Sequence, residues 1–91
     1  MTRTLLTEIS VATADHSKYR EDVLGLFRFK DEAAFFEKAG KIFSGAVLLE
    51  TCNRVEILVH GSGKQLREFL HAEQKFGFEI LEGEAALMHL L

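Results

Sequence analysis

The sequence predicts an α+β domain in which helices cover an antiparallel sheet. Short apolar runs with the alternating period of strands and longer segments with the helical period follow one another along the chain. Hydrophobic residues make up 47% of the 91 residues and charged residues 27%, which is typical of a globular domain rather than a disordered segment. We therefore expect one domain with a modest core.

The first half of the chain is predicted to contain one strand and two helices. Alternating apolar and polar residues predict the strand over 4–11, and Asp15 is placed to cap a helix after it. Apolar side chains at helical spacing predict that helix; they are Tyr19, Val23, Leu26 and Phe27. A second helix is predicted over 33–41, following Asp31.

The second half is predicted to contain a hairpin, a helix, a strand and a final helix. Strands over 46–49 and 55–60 are joined by about four residues, a common hairpin length, so that 51–54 lie at the turn. Ser62 and Gln65 form a capping box before the next helix. A strand over 78–81 and a helix over 84–91 complete an order typical of a ferredoxin-like split βαβ sandwich, with helices on one face.

Composition and spacing argue against several classes of function. A net charge of −3 with scattered Lys and Arg argues against a free-standing nucleic-acid binder. His16, His60, His71 and His89 lack the paired spacing of metal ligands, so no metal site is predicted. The stretch 61–64 is a helix start that lacks the spacing of a phosphate loop. Without a signal peptide or a membrane-spanning run, and with a single cysteine, we expect a cytoplasmic protein with no membrane partner.

Cys52 is the first candidate for chemistry. Arg54 lies two residues after it, and Thr51 and Asn53 offer hydrogen-bond donors, a setting that favours the reactive thiolate form. The alternative is structural, because cysteine is among the most buried residue types and often packs as a small hydrophobe. Spacing alone leaves both interpretations open.

The run Thr51-Cys52-Asn53-Arg54-Val55-Glu56 resembles the active-site segment of glutamyl-tRNA reductase, the enzyme that opens the five-carbon route to tetrapyrroles. Arg20-Glu21 is similar to a pair in the family's first helix, and 83–90 is similar to the helix that carries a family histidine, here His89. One departure matters, although Thr13 and Ala14 fit the family. The family usually reads His-Lys-Thr-Ala where this chain has Val11-Ala12-Thr13-Ala14, so the role of that earlier histidine does not carry over.

The resemblance implies acyl transfer followed by reduction. Cys52 would attack the ester of glutamyl-tRNA to form a thioester, and NADPH would reduce that thioester to glutamate-1-semialdehyde. Arg54 would bind the glutamate carboxylate, with Thr51, Asn53 and Glu56 as further substrate-binding residues. The alternatives are a salt bridge of Arg54 with Glu50 or Glu56, a purely turn-forming Asn53, and a Glu56 that anchors Arg54. His89 would be a second catalytic residue, acting as acid or base, although its spacing also fits a packing role.

The resemblance also implies how the chain is organised. We expect a catalytic, glutamyl-tRNA-binding domain over 1–82 and, over 83–91, the start of a helix that continues toward a missing NADPH-binding domain. In the family the whole protein is a homodimer, and glutamate-1-semialdehyde aminomutase is a plausible partner. The alternatives are a ferredoxin-like binding or regulatory module with a packed cysteine, or a partner-docking domain.

Overall fold

The computed structural model describes residues 9–90, and within them four strands and four helices. The strands are β1 (Ile9–Asp15), β2 (Ala46–Glu50), β3 (Arg54–His60) and β4 (Glu79–Glu82). The helices are α1 (Glu21–Leu24, continued by a 3-10 turn Gly25–Phe27), α2 (Glu32–Gly40), α3 (Gly63–Ala72) and α4 (Gly83–Leu90). No helix in this range is long and apolar enough to cross a membrane.

All four strands form one antiparallel sheet in the order β2-β3-β1-β4. The central pair places Ala12 opposite Ile57 and Asp15 opposite Arg54. The hairpin of β2 and β3 places Glu50 opposite Val55. The strand order and the helical crossovers are those of the predicted ferredoxin-like split βαβ sandwich, which is therefore confirmed.

The helices between the strands lie on one face of the sheet, as predicted. Their apolar side chains surround Ala12, Ala14, Val55 and Ile57, which alternation places on that face. The main contributors are Leu24 and Phe27 after β1, Phe35, Ala39 and Phe43 around α2, and Leu66, Phe69 and Leu70 of α3. This face holds the main core of the protein.

The last helix lies against the opposite face, which corrects the prediction that the helices cover one face only. Val11, Thr13 and Glu56 point to that face and are buried, and Ala86 of α4 is fully buried. Gly83 has φ +57, which lets the chain turn directly from β4 into α4. The helix contacts β1 and β4, so β1 is covered from both sides.

The first strand and first helix differ from the prediction. Within the described residues β1 runs to Asp15, four residues beyond the predicted end, because Val11 to Ala14 are buried on both faces and so show no alternation. Asp15 ends this strand and does not cap a helix. Residues 4–8 of the predicted strand lie outside the described range. The first helix spans only Glu21–Leu24, and Leu26, predicted on its apolar stripe, is 74% exposed because the 3-10 turn changes the helical phase.

The other local signals are confirmed. Asp31 caps α2 by accepting a hydrogen bond from the Ala34 amide, and both hydrogen bonds of the Ser62–Gln65 capping box are present at α3. Two of the phenylalanines lie outside the core. Phe36 and Phe76 are exposed because they project from the outer side of α2 and from the turn after α3.

Candidate functional site

The cysteine lies in the turn between β2 and β3, where the sequence predicted it. The Thr51 amide donates to the Arg54 carbonyl (2.9 Å), and the Asn53 amide donates to the Thr51 hydroxyl oxygen (3.2 Å). These bonds close the turn on itself and leave Cys52 as an exposed free thiol. The packed cysteine of the alternative hypothesis is therefore wrong, because the turn projects beyond the core.

Two residues far away in sequence hold this turn from outside. The His16 amide, just after β1, donates to the Asn53 carbonyl (2.9 Å). The Arg28 guanidinium donates to the Thr51 carbonyl. Beside them, Glu50 accepts from the Phe29 amide (2.7 Å), so β2 is tied to the same segment. The backbone on both sides of the thiol is thus fixed by β1 and by the segment after α1.

The carboxylate of Glu56 is the buried centre of the site. Glu56 is only 7% exposed. It lies two residues after Arg54 in β3, and therefore on the same face of the sheet, which is the face covered by α4. Its Oε2 accepts a hydrogen bond from the Thr13 hydroxyl (2.9 Å) and pairs with Nε2 of His89. Its Oε1 lies 3.8 Å from Nη1 of Arg54. Glu56 therefore joins β1, β3 and α4 at one point.

Arg54 is placed to serve a ligand as well as Glu56. Its side chain is 50% exposed, and at 3.8 Å its contact with Glu56 is a loose ion pair that leaves other donors of the guanidinium uncommitted by that contact. Arg54 begins β3 only two residues after Cys52. An anionic group bound there would be held next to Cys52.

The end of β1 adds fixed charges to the same edge. The Ser17 hydroxyl lowers the pKa of Asp15 by donating a hydrogen bond to its carboxylate. Partial burial of the carboxylate raises the pKa and so opposes this effect. The Ser17 amide, His16 and Arg54 each lower the pKa further. Lys18 pairs with Glu79 of β4 (3.1 Å), and that carboxylate raises the pKa of the lysine. Asp15 is thus held as an anion beside Arg54.

The predicted site residues fall into two groups. Thr51, Cys52 and Asn53 form the turn, whereas Glu56 and His89 meet on the sheet face below α4, and Arg54 links the groups. Sequence reasoning missed other residues that hold the site; they are Thr13 as a partner of Glu56, and His16 and Arg28 as supports of the turn. His16 and Arg28 carry no local signal, since they act across elements distant in sequence. Thr13 matches the threonine of the family's His-Lys-Thr-Ala run, but that match does not identify Glu56 as its partner.

The described residues offer no evident place for a metal or a dinucleotide. No group of three His, Cys, Asp or Glu side chains in 9–90 could hold a metal ion. The glycine-containing helix start at Gly63 is already occupied, because its amide donates to Oε2 of Glu82 (2.9 Å) and a side chain at Gly63 would collide with that carboxylate. A phosphate group would meet a negative charge there.

Relatives with established names match the chain over most of its length. It is 86% identical over all 91 residues to a glutamyl-tRNA reductase of Methanocorpusculum labreanum, covering 22% of that protein. It is 52% identical over 81 residues to a glutamyl-tRNA reductase of Methanoregula boonei, covering 87% of this chain and 19% of that protein. The chain thus spans about a fifth of the length of the curated relatives it matches.

The fold has a counterpart among solved structures. The glutamyl-tRNA reductase from Methanopyrus kandleri superposes with a TM-score of 0.78 at 26% sequence identity, over 92% of this chain and 21% of that one. No protein-family model matches the sequence.

Proposed function

Because the chain is related over its whole length to one segment of the glutamyl-tRNA reductases, we propose that it forms the acyl-transfer site of such an enzyme. The observation that carries the proposal is the position of Cys52. An exposed thiol stands on a turn fixed by hydrogen bonds on both sides, two residues before a half-exposed arginine. Nucleophilic catalysis by cysteine requires such an accessible, positioned thiol beside a cation.

The proposed step is transfer of the glutamyl group from tRNA to sulfur. The Cys52 thiolate attacks the carbonyl carbon of the aminoacyl ester, a C–S bond forms, and the C–O bond to the terminal ribose breaks. The proton that the thiol gives up when it becomes the thiolate passes to the ribose oxygen, so that the tRNA leaves as an alcohol. The product is a thioester, which accepts hydride more readily than an oxygen ester does, and this is a chemical reason for using cysteine rather than serine.

Arg54 is proposed to recognise the glutamate side chain. A guanidinium presents two parallel donors that match a carboxylate, and this one is half exposed beside the thiol. Thr51 and Asn53 are proposed to orient the substrate, although their observed hydrogen bonds also serve to close the turn. Binding the carboxylate at Arg54 would place the ester of the same glutamyl group near Cys52.

His89 is proposed as the acid or base of this step. Its imidazole is partly exposed and is held by Glu56, the same carboxylate that faces Arg54. The side chain of Glu56 is only 9% exposed. This burial favours a role in positioning Arg54 and His89 over direct contact with the substrate. Of the two roles expected for Glu56, we therefore propose positioning; substrate binding by Glu56 stays a prediction from the resemblance.

The reduction is proposed to depend on residues other than those described here. The glycine-containing start of α3 does not fit a dinucleotide phosphate, because Glu82 occupies it. We therefore derive no step through NADPH on this chain. A full-length homodimer and a partner aminomutase stay predictions from the family resemblance.

The experiment that tests the proposal is an intact-mass measurement. The chain is incubated briefly with glutamyl-tRNA, quenched with acid and weighed beside Cys52→Ser. We expect a glutamyl adduct on the wild type that is absent from the variant and is removed by hydroxylamine, which cleaves thioesters.

A wild-type chain without adduct, whose thiol also alkylates as slowly as a free cysteine peptide, would contradict the acyl-transfer site. It would leave the chain as a ferredoxin-like binding or partner-docking module. An adduct that survives in Cys52→Ser would place the reaction on another residue.

A further inference from the structure

Glu56 poses a question that the acyl-transfer step does not answer. A carboxylate buried to this degree is costly unless hydrogen bonds and charges compensate for its lost hydration. Three groups approach it in the structure: the Thr13 hydroxyl, the His89 ring and, at a longer distance, the Arg54 guanidinium. Of these three groups, the Thr13 hydroxyl is uncharged, and its residue lies inside a strand of the sheet.

The hydrogen-bonding pattern fixes which atom donates. The Thr13 hydroxyl donates its proton to Oε2 of Glu56 at 2.9 Å, and Arg54 can only donate. In both contacts the carboxylate oxygen is the acceptor. The remaining partner of Oε2 is Nε2 of His89, and a carboxylate oxygen that accepts from this nitrogen requires the proton to be on Nε2.

We propose that Thr13 is a positioning residue that acts through Glu56 to set the tautomer of His89. With the proton on Nε2, the neutral imidazole has Nδ1 as its free acceptor. Nδ1 is then the atom that takes the thiol proton and passes it to the leaving ribose oxygen, and Nε2 stays bonded to Glu56. Only this catalytic consequence rests on the proposed function, whereas the tautomer is a property of the folded chain.

Threonine suits this position better than other small residues. β1 is buried from both sides at Thr13, so the side chain must also pack as part of the sheet. Valine has nearly the same shape without the donor, and serine keeps the donor without the methyl group. These two variants therefore separate hydrogen bonding from packing.

The test reads the tautomer directly by NMR of the 91-residue chain labelled with ¹⁵N-histidine, at about pH 8, where histidine side chains are ordinarily neutral. His89→Gln assigns the signals. In the wild type we expect a protonated, pyrrole-type Nε2 and an unprotonated, pyridine-type Nδ1. In Thr13→Val we expect both nitrogens to shift toward a tautomer mixture, and in Thr13→Ser the wild-type pattern.

A matched control is available on the same strand. The buried Ser10 hydroxyl donates to the Gly61 carbonyl (2.7 Å) on the other face of the sheet, so Ser10→Ala also removes a hydroxyl from β1. It should leave the His89 signals unchanged. We also expect acyl transfer to slow about tenfold or more in Thr13→Val, the usual cost of a lost hydrogen bond to a charged group, and to recover in Thr13→Ser.

Two results would overturn the proposal: a protonated Nδ1 in the wild type, or a Thr13→Val spectrum identical to that of the wild type. The outcome is separable from that of the proposed function. If the His89 signals move as expected while no variant, including the wild type, forms an adduct, the positioning role of Thr13 stands and the acyl-transfer function fails.

Discussion

At the scale of single residues, the exposed part of Arg54 decides what the site can recognise. Its contact with Glu56 is long, and half of the side chain faces solvent next to the cysteine turn. A residue that only neutralised Glu56 would have no need of this exposure. A ligand carboxylate offers the closer and better aligned partner that Glu56 does not supply.

We predict that Arg54→Ala reduces selectivity as well as rate. Transfer from glutamyl-tRNA to Cys52 should slow about 10- to 100-fold, the usual effect of losing a charge-assisted hydrogen bond. Transfer from glutaminyl-tRNA, whose side chain is neutral, should change much less. Single-turnover assays with radiolabelled aminoacyl-tRNAs measure both rates.

Arg67→Ala is the control for this prediction, since it removes an exposed arginine of α3 and should alter neither rate. Equal losses with both substrates in Arg54→Ala would mean that the arginine acts by holding Glu56 and does not read the glutamate side chain.

At the scale of elements, the turn after β1 supports the cysteine turn. Its backbone donates from His16 to Asn53, and its shape is set by Asp15, which accepts from both the amide and the hydroxyl of Ser17. The hydroxyl bond lowers the pKa of Asp15, so the folded protein favours the ionised carboxylate. The geometry of the cysteine turn thus depends on the charge of Asp15 in the turn after β1.

We predict that the charge of Asp15 makes the free energy of unfolding depend on pH. Because the folded-state pKa of Asp15 is lowered, its contribution is present above the ordinary aspartate value of about 4 and is lost as the pH falls through the folded-state value. Asp15→Asn should therefore be less stable than the wild type near neutral pH, and the difference should shrink in acid. Urea unfolding followed by circular dichroism over this range measures it.

Ser17→Ala tests the cause, since it removes the largest contribution to the lowered pKa and should reduce the same pH-dependent difference. A difference between Asp15→Asn and the wild type that does not vary with pH would contradict the charge dependence of this loop.

Elements whose signals are local could be predicted from sequence, and those set by tertiary burial could not. The cap at Asp31 and the capping box at Ser62 depend on residues three apart, so the helix starts were found. The end of β1 could not be found, because both faces of the strand are buried and the alternation disappears. The same limit applies to the site, where Cys52 and Arg54 stand in one motif but Thr13 and Arg28 reach it only through the fold.

At the scale of the whole molecule, α4 divides the sheet's second face into a covered and an open part. It covers β1 and β4, burying Thr13 and Glu56, whereas Val47 and Leu49 of β2 on the same face are exposed. The helix also brings His89 to Glu56. The proposed site is therefore complete only when α4 is docked, although the sequence suggested a boundary near residue 83.

We predict that α4 folds together with the sheet. Ala86 is fully buried, so Ala86→Arg must either bury a charge or displace the helix, and we expect it to lower the free energy of unfolding by about 2 kcal/mol or more. Ala85→Arg is the matched control, because Ala85 is exposed on the same helix and its replacement should have little effect. Urea unfolding measures both. If the two variants were equally stable, α4 would not be packed on the sheet in solution, and the contact between His89 and Glu56 would require another part of a longer protein to hold the helix in place.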